Sequence, residues 1–372
     1  MSAHGTRAQS AGMPLVGIAG DGTFAPAPGE GRLEALTRLR ALLGDDLEEQ
    51  IATELFLPAA LGTESADQLL PASLALLAGA TGDLTSYGWR VGPGAGHAWR
   101  RAQELRARTT EDARFALLGY EGPLVLTTFG PVSLAAATFL ASGERTLADR
   151  GALRDLPVLL AEGVAEQLAR VAAIVPGARP RLLLREDAVR AVHQGLVPTP
   201  SGYRRYPALP APEIGGLWRS FLEALDAAWP APEPTGPARV RFLLPALAEP
   251  LEAARTAGAR SLAVPPQEIG PLAGGAGRRL WEGLAQAREE GVELAAVVDP
   301  ARVEPALDLL GESFRRLGYA DRELTGMTLL AHRPLRREED PGAEPSRSSL
   351  LTEPDLVRVL RVAPAWAERV QG

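Results

Sequence analysis

Two short stretches of this chain place chemically capable side chains where a repeating α/β fold would use them. They are Glu186-Asp187 and His332-Arg333. Each directly follows a short apolar run, Arg181–Leu184 or Met327–Ala331, that reads as a buried strand. Residues just past the carboxyl end of a parallel strand face the mouth of the sheet, where α/β proteins bind ligands. Arg185 stands beside the acidic pair, and a guanidinium at that distance would hold both carboxylates ionised, which favours an ion pair over acid–base work. His332 with Arg333 has the chemistry to bind a carboxylate or phosphate. His193 falls in a short helix and reads as a packing or surface residue, and His4 lies in a polar arm.

Two glycine runs precede helical stretches. Gly92-Pro93-Gly94-Ala95-Gly96 reads as a turn, because its proline and the lack of a downstream acidic partner spoil a phosphate loop. Gly274-Gly275-Ala276-Gly277, followed by Arg278-Arg279, is either an anion-binding helix start or a plain connection. There is no Gly-x-Ser-x-Gly elbow, no His-Glu-x-x-His and no His/carboxylate group at metal spacing. The chain has no Cys, which removes thiol nucleophiles, thiolate ligands and disulfides. It has no Lys, which removes Schiff-base chemistry, so all 39 basic residues are Arg.

The elements that would position these groups alternate along most of the 372 residues. Apolar runs at Pro14–Ala19, Pro123–Thr128, Arg181–Leu184, Ala238–Leu244, Ser261–Val264, Glu293–Val298 and Met327–Ala331 read as strands. Weaker candidates lie near Glu54–Leu57 and Asp83–Tyr87, for about nine in all. Helical spacing occupies the intervals, among them Gly31–Leu43, Ala98–Leu118, Gly151–Val175, Glu249–Thr256, Arg278–Glu290, Arg302–Leu317 and Glu353–Val370. Short strands alternating with helices imply a parallel sheet covered on both faces. The expected fold is therefore a TIM (β/α)8 barrel with an N-terminal extension, and an open doubly wound α/β sheet is the alternative. Residues 1–13 read as a disordered arm, residues 14–372 as a single barrel domain, and the charged stretch 336–349 as a mobile loop. A net charge of −7 gives no reason to expect nucleic acid or an anionic membrane as partner. With no apolar run of about 18 residues and no leader-like start, a cytoplasmic location is expected.

An ordered set of stretches resembles the cobalamin-independent methionine synthase family, in the short single-barrel form that matches its catalytic C-terminal domain. They are Ser86-Tyr87-Gly88-Trp89-Arg90, Gly130-Pro131, Gly143-Glu144-Arg145-Thr146-Leu147-Ala148-Asp149, Val197-Pro198-Thr199-Pro200-Ser201-Gly202-Tyr203 and Pro364-Ala365-Trp366-Ala367. The resemblance implies a TIM barrel and methyl transfer from a methyl-folate to homocysteine, whose thiol binds a zinc ion held by His, Cys, Glu and Cys. It also implies replacement of that site here. The His and first Cys positions fall on Leu243 and Pro245, the last Cys on Arg333, and the acidic ligand near Pro265-Pro266. The Asp-Glu-Pro that grips the substrate amino group falls on Arg185-Glu186-Asp187, the Ile-Gly-Ser near the start on Ile18-Ala19-Gly20, and the Pro-Glu-Leu-Pro stretch within Leu57-Pro58-Ala59-Ala60.

The expectation is thus a divergent barrel without zinc-dependent methyl transfer and with no cofactor of its own, binding a small anionic ligand at its mouth. Arg185, Glu186, Asp187, His332 and Arg333 are the candidate contacts. A methyltransferase with a metal site rebuilt from His332, Glu186 and Asp187 is the second expectation, and a partner-binding scaffold the third.

Overall fold

Aliphatic runs bounded by Gly, Pro or charge become strands in the computed structural model, which describes residues 14–45, 50–230, 236–272, 274–333 and 349–372. The arm at 1–13 and all but the last residue of the loop expected at 336–349 lie outside the described residues. In chain order the strands are β1 (Val16–Gly20), β2 (Ile51–Thr53), β3 (Leu55–Phe56), β4 (Gly82–Thr85), β5 (Gly88–Val91), β6 (Gly122–Phe129), β7 (Ala178–Arg185), β8 (Val240–Leu243), β9 (Ser261–Val264), β10 (Glu293–Val298) and β11 (Met327–Ala331).

Nine of them form one all-parallel sheet in the order β2-β1-β11-β10-β9-β8-β7-β6-β3. The two ends of that order are halves of one stretch of chain. β2 pairs with β1, and β3 pairs with β6. Between them the Glu54 amide donates to Ile18 O at 2.7 Å, and beyond β3 the Leu57 amide donates to Val125 O at 2.9 Å. The sheet therefore closes into an eight-position barrel, as the alternation of short strands and helices leads one to expect. The open doubly wound sheet is excluded by this closure.

The additional strands are not part of the barrel wall. β4 and β5 form an antiparallel hairpin turned by Ser86-Tyr87. It is pinned by Trp89, which is buried, and by the Val91 amide on Phe139 O. The strand candidate near Asp83–Tyr87 is thus this hairpin, an insertion between the second and third barrel positions and not an N-terminal extension.

Helices fill the intervals on the outside. They run Arg32–Leu43, His97–Ala116, Arg150–Ile174, Ala211–Ala228, Ala248–Ala257, Gly275–Glu289, Val303–Arg316 and Glu353–Gln371, with shorter turns between. Most barrel strands are buried on both faces, which is why they read as continuous apolar runs rather than alternating ones. The lumen, however, holds charge. Glu54 accepts from Arg241 at 2.7 and 3.0 Å and from Arg181 at 2.8 Å. Arg241 also reaches Ser261 and Thr328. These residues stand on β7, β8, β9 and β11, so the contacts cross the interior of the barrel.

No helix among the described residues is long and apolar enough to cross a membrane.

Candidate functional site at the barrel mouth

Chain direction alone brings the ends of β1, β7 and β11 to the same rim, and the residues that follow them meet there. Asp21 follows β1, Arg185 ends β7 with Asp187 two residues on, and His332 follows β11. His332 Nδ1 lies 2.8 Å from Asp21 Oδ2. Arg185 Nη1 lies 3.4 Å from the same oxygen, and Arg185 Nη2 donates to Asp187 Oδ2 at 2.6 Å. The other Asp21 oxygen accepts from the Thr23 amide at 2.9 Å and its hydroxyl at 2.7 Å. Gly22 makes this turn with φ +83°, and a Cβ there would meet Thr127 Oγ1 at 2.0 Å, so only glycine allows the chain to fold back so closely.

Asp21 and Arg185 are almost wholly buried, whereas the side chains of His332 and Asp187 keep 14% and 15% of their exposure. The unit therefore has a fixed floor and two groups at its surface. Burial by itself would raise the Asp21 pKa, but the Arg185 guanidinium and the His332 contact hold it below the ordinary carboxylate value. Arg185 is likewise held above its ordinary value, against burial, by Asp187 and Asp21. The floor is thus ionised, and Asp21, Asp187 and Arg185 together carry one net negative charge. His332 Nδ1 is oriented by a carboxylate, and no described residue takes its Nε2. That is the geometry of an acid–base or ligand-contacting imidazole whose tautomer is set from behind.

The sequence-derived candidates divide. Arg185, Asp187 and His332 come together as one unit. Arg333 turns instead to Asp355, with Nε 2.8 Å from Oδ2 and Nη2 3.0 Å from Oδ1. Asp355 is buried and also accepts from the Thr352 amide and hydroxyl. Arg333 is therefore a clamp on the start of the last helix.

Glu186 requires a correction. The expectation that Arg185 holds it ionised fails, because its side chain leaves the mouth and enters the layer between barrel and helices. It accepts from Trp218 Nε1 at 2.6 Å, the Ser133 amide and hydroxyl at 2.8 Å each, and the Val132 amide at 3.3 Å. Burial pushes its pKa up to about 7, against the Trp218 and Ser133 hydrogen bonds. A strand alternates its side chains, so consecutive residues at its end cannot both face the lumen. His193 behaves as expected of a packing residue, between Leu209 O at 3.2 Å and Glu249 at 3.0 Å.

Asp21 was not among the candidates, although the rule that singled out the ends of β7 and β11 also applies to the end of β1. Gly20-Asp21-Gly22 carries the signal, a carboxylate between two glycines directly after an apolar run. What no local pattern contains is its pairing with a histidine 311 residues away.

Zinc does not fit the positions that the family resemblance assigns to it. Leu243 and Pro245 have no donor atom in their side chains, and Arg333 brings a positive charge already committed to Asp355. Among the described residues no group of three or more His, Asp or Glu is placed to hold a metal ion.

No family model and no curated protein matches this sequence. Among solved structures the chain is similar to Rhizobium etli pyruvate carboxylase crystallized without acetyl coenzyme-A, at 13% identity and a TM-score of 0.24. The match covers 67% of this chain and 24% of that one. It is similar also to the carboxyl transferase domain of that enzyme, at 13% identity and a TM-score of 0.25, over 66% of this chain and 41% of that one. The chain thus spans less than half the length of these longer chains, and likeness at this level bears on neither activity nor ligand.

Proposed function

We propose that this barrel binds a small anionic ligand at its mouth through His332, as a divergent relative of the cobalamin-independent methionine synthases without zinc-dependent methyl transfer. The observation that carries the reading is the His332–Asp21 contact at 2.8 Å, which leaves Nε2 directed away from its buried anchor. With one net negative charge beneath it, a protonated His332 completes a neutral unit and offers Nε2–H to a carboxylate or phosphate oxygen. The same ring, once neutral, accepts a proton from the ligand through Nε2. Arg185 and Arg333 serve the site indirectly. The first holds Asp21 and Asp187 in place, and the second fixes the helix beside the rim.

The stretches that carry the family resemblance support retention of the scaffold apart from the chemistry. Arg145 is buried and donates to Ala136 O at 2.5 Å and Pro198 O at 3.3 Å, tying its own loop to the short helix Pro131–Ala137 and to the stretch at Pro198. Asp149 caps the helix Arg150–Ile174 through the Ala152 amide. Trp366 is buried within the last helix. These are packing and capping duties, which a barrel keeps when its ligand changes.

The test follows the His332 Nε2 resonance by nitrogen-detected NMR while inorganic phosphate, succinate and free amino acids are added in turn. At least one probe should shift it saturably. Affinity for that probe should fall on the order of tenfold or more in His332→Gln and also fall in Asp21→Asn, since a lost charge-assisted hydrogen bond is worth about 1.5–3 kcal/mol. If no probe moves Nε2, or if His332→Gln binds as well as the parent chain, the reading is wrong.

A further inference from the structure

Outside the barrel wall lies a cavity walled by the helices His97–Ala116 and Arg150–Ile174, by the strands β6 and β7 and by the stretch 57–76. Its free volume is about 50 Å3 and it is partly open to solvent. At 10–15 Å3 per water, that is room for about four waters. Leu76, Leu105, Leu126, Val164 and Leu182 make most of its wall apolar.

One charged group in this wall has no carboxylate in ion-pair contact among the described residues. Arg32, also in the lining, is matched by Asp67 at 3.0 Å and donates to Thr109 at 2.7 Å. Arg106 has no carboxylate partner among the described residues. Its Nη1 donates to Gln167 Oε1 at 2.5 Å, and its Nε is buried without any partner. The nearby Glu166 is taken by Arg170 at 3.2 Å. Burial, with Arg170 adding to it, pulls the Arg106 pKa below its ordinary value. Gln167 is itself held by Thr110 at 2.9 Å, so the guanidinium is braced in position. A braced guanidinium left without a carboxylate, facing a small apolar chamber, is costly in an empty protein and fitting in a liganded one.

We propose that this cavity is a binding site for a short-chain monocarboxylate, with the carboxylate on Arg106 and the alkyl body against Leu105, Leu126 and Val164. A planar guanidinium offers a carboxylate paired donors, and the leucine and valine wall favours hydrocarbon over a second charge. The volume limits the body to a few carbons. The site is separate from the mouth and does not depend on what His332 binds.

The experiment measures the melting temperature and calorimetric binding of the full chain with acetate, propionate and butyrate, each against sodium chloride at equal ionic strength. Affinity should rise up to about fourfold for each added methylene that is buried. Arg106→Met keeps the aliphatic stem and removes the charge. It should weaken binding about tenfold or more, while the melting temperature of the unliganded chain stays level or rises. Ala102→Leu, on the same wall, should exclude butyrate before acetate. His332→Gln should leave this binding unchanged, which separates it from the mouth. The proposal is overturned if the three acids act no differently from chloride, or if Arg106→Met binds them equally. A clear loss of stability in unliganded Arg106→Met would also overturn it, because Arg106 would then be serving the fold.

Discussion

Glu54 sits where one side chain balances two guanidiniums, those of Arg181 and Arg241, inside the barrel. Burial would raise its pKa, yet Arg241 and then Arg181 hold it below the ordinary value, so it is a carboxylate in the folded chain. Such a buried group adds little net stability when complete, because desolvation offsets the attraction. Removing its centre is another matter. Glu54→Gln should destabilise the chain by on the order of 3–5 kcal/mol in urea unfolding, since two cations are left facing each other in the lumen. A loss below about 1 kcal/mol would mean that water reaches the lumen and screens them.

At the scale of elements, Glu186 joins the short helix Pro131–Ala137 after β6 to the helix Ala211–Ala228 by accepting from Val132, Ser133 and Trp218. Gly130 makes room for that carboxylate. A Cβ there would lie 2.3 Å from Glu186 Oε1 and 2.4 Å from Cδ. The backbone at Gly130, with φ −77° and ψ 171°, is one that alanine adopts freely, so any cost arises from the clash. Gly130→Ala should therefore cost about 1–3 kcal/mol by overpacking. In Glu186→Gln, whose amide remains as large, the same substitution should cost a similar amount. In Glu186→Ala, which removes the clashing atoms, Gly130→Ala should cost much less, and an undiminished cost in that background would mean that the two residues do not compete for space.

Across the whole molecule the buried carboxylates divide by sign. Asp21, Glu54 and Asp355 are held below their ordinary values, so their contribution is present above about pH 4 and is lost as the pH falls through the lower folded values. Glu186 is raised from 4.5 to about 7, so its contribution is present below pH 4.5 and is lost as the pH rises through about 7. That shift corresponds to about 3 kcal/mol. Stability should then peak near pH 4.5, decline between about pH 5 and 7 and level off above. Urea unfolding at half-unit steps checks this, with Glu186→Gln expected to flatten the decline between about pH 5 and 7. An unchanged slope in that variant would assign the decline to other groups.

Much of the fold was legible in local patterns. Ser261–Val264, Glu293–Val298 and Met327–Ala331 are strands at the very residues their apolar runs mark, because strands buried on both faces need continuous hydrophobic sequence. The helix Arg32–Leu43 and its like announce themselves by 3.6-residue spacing. The split of one barrel position into β2 and β3 around a charged Glu54 was harder to read, since a carboxylate in mid-strand signals a loop unless its cross-lumen partners are known. The candidate site divided in the same way. That Arg185, Asp187 and His332 face the mouth follows from where each strand ends. That Asp21 anchors His332, that Arg333 serves Asp355 and that Glu186 turns away were decided by tertiary structure alone. Hydrogen bonds and ion pairs act over about 3 Å in space, and sequence separation does not enter them. The sequence by itself marked most of the parallel strands and determined which chemistries are absent from this chain, whereas closure into a barrel rests on the β1–β2 and β3–β6 pairings. Only the closed barrel, which brings residues 21 and 332 to one rim, decided which of its polar groups act together.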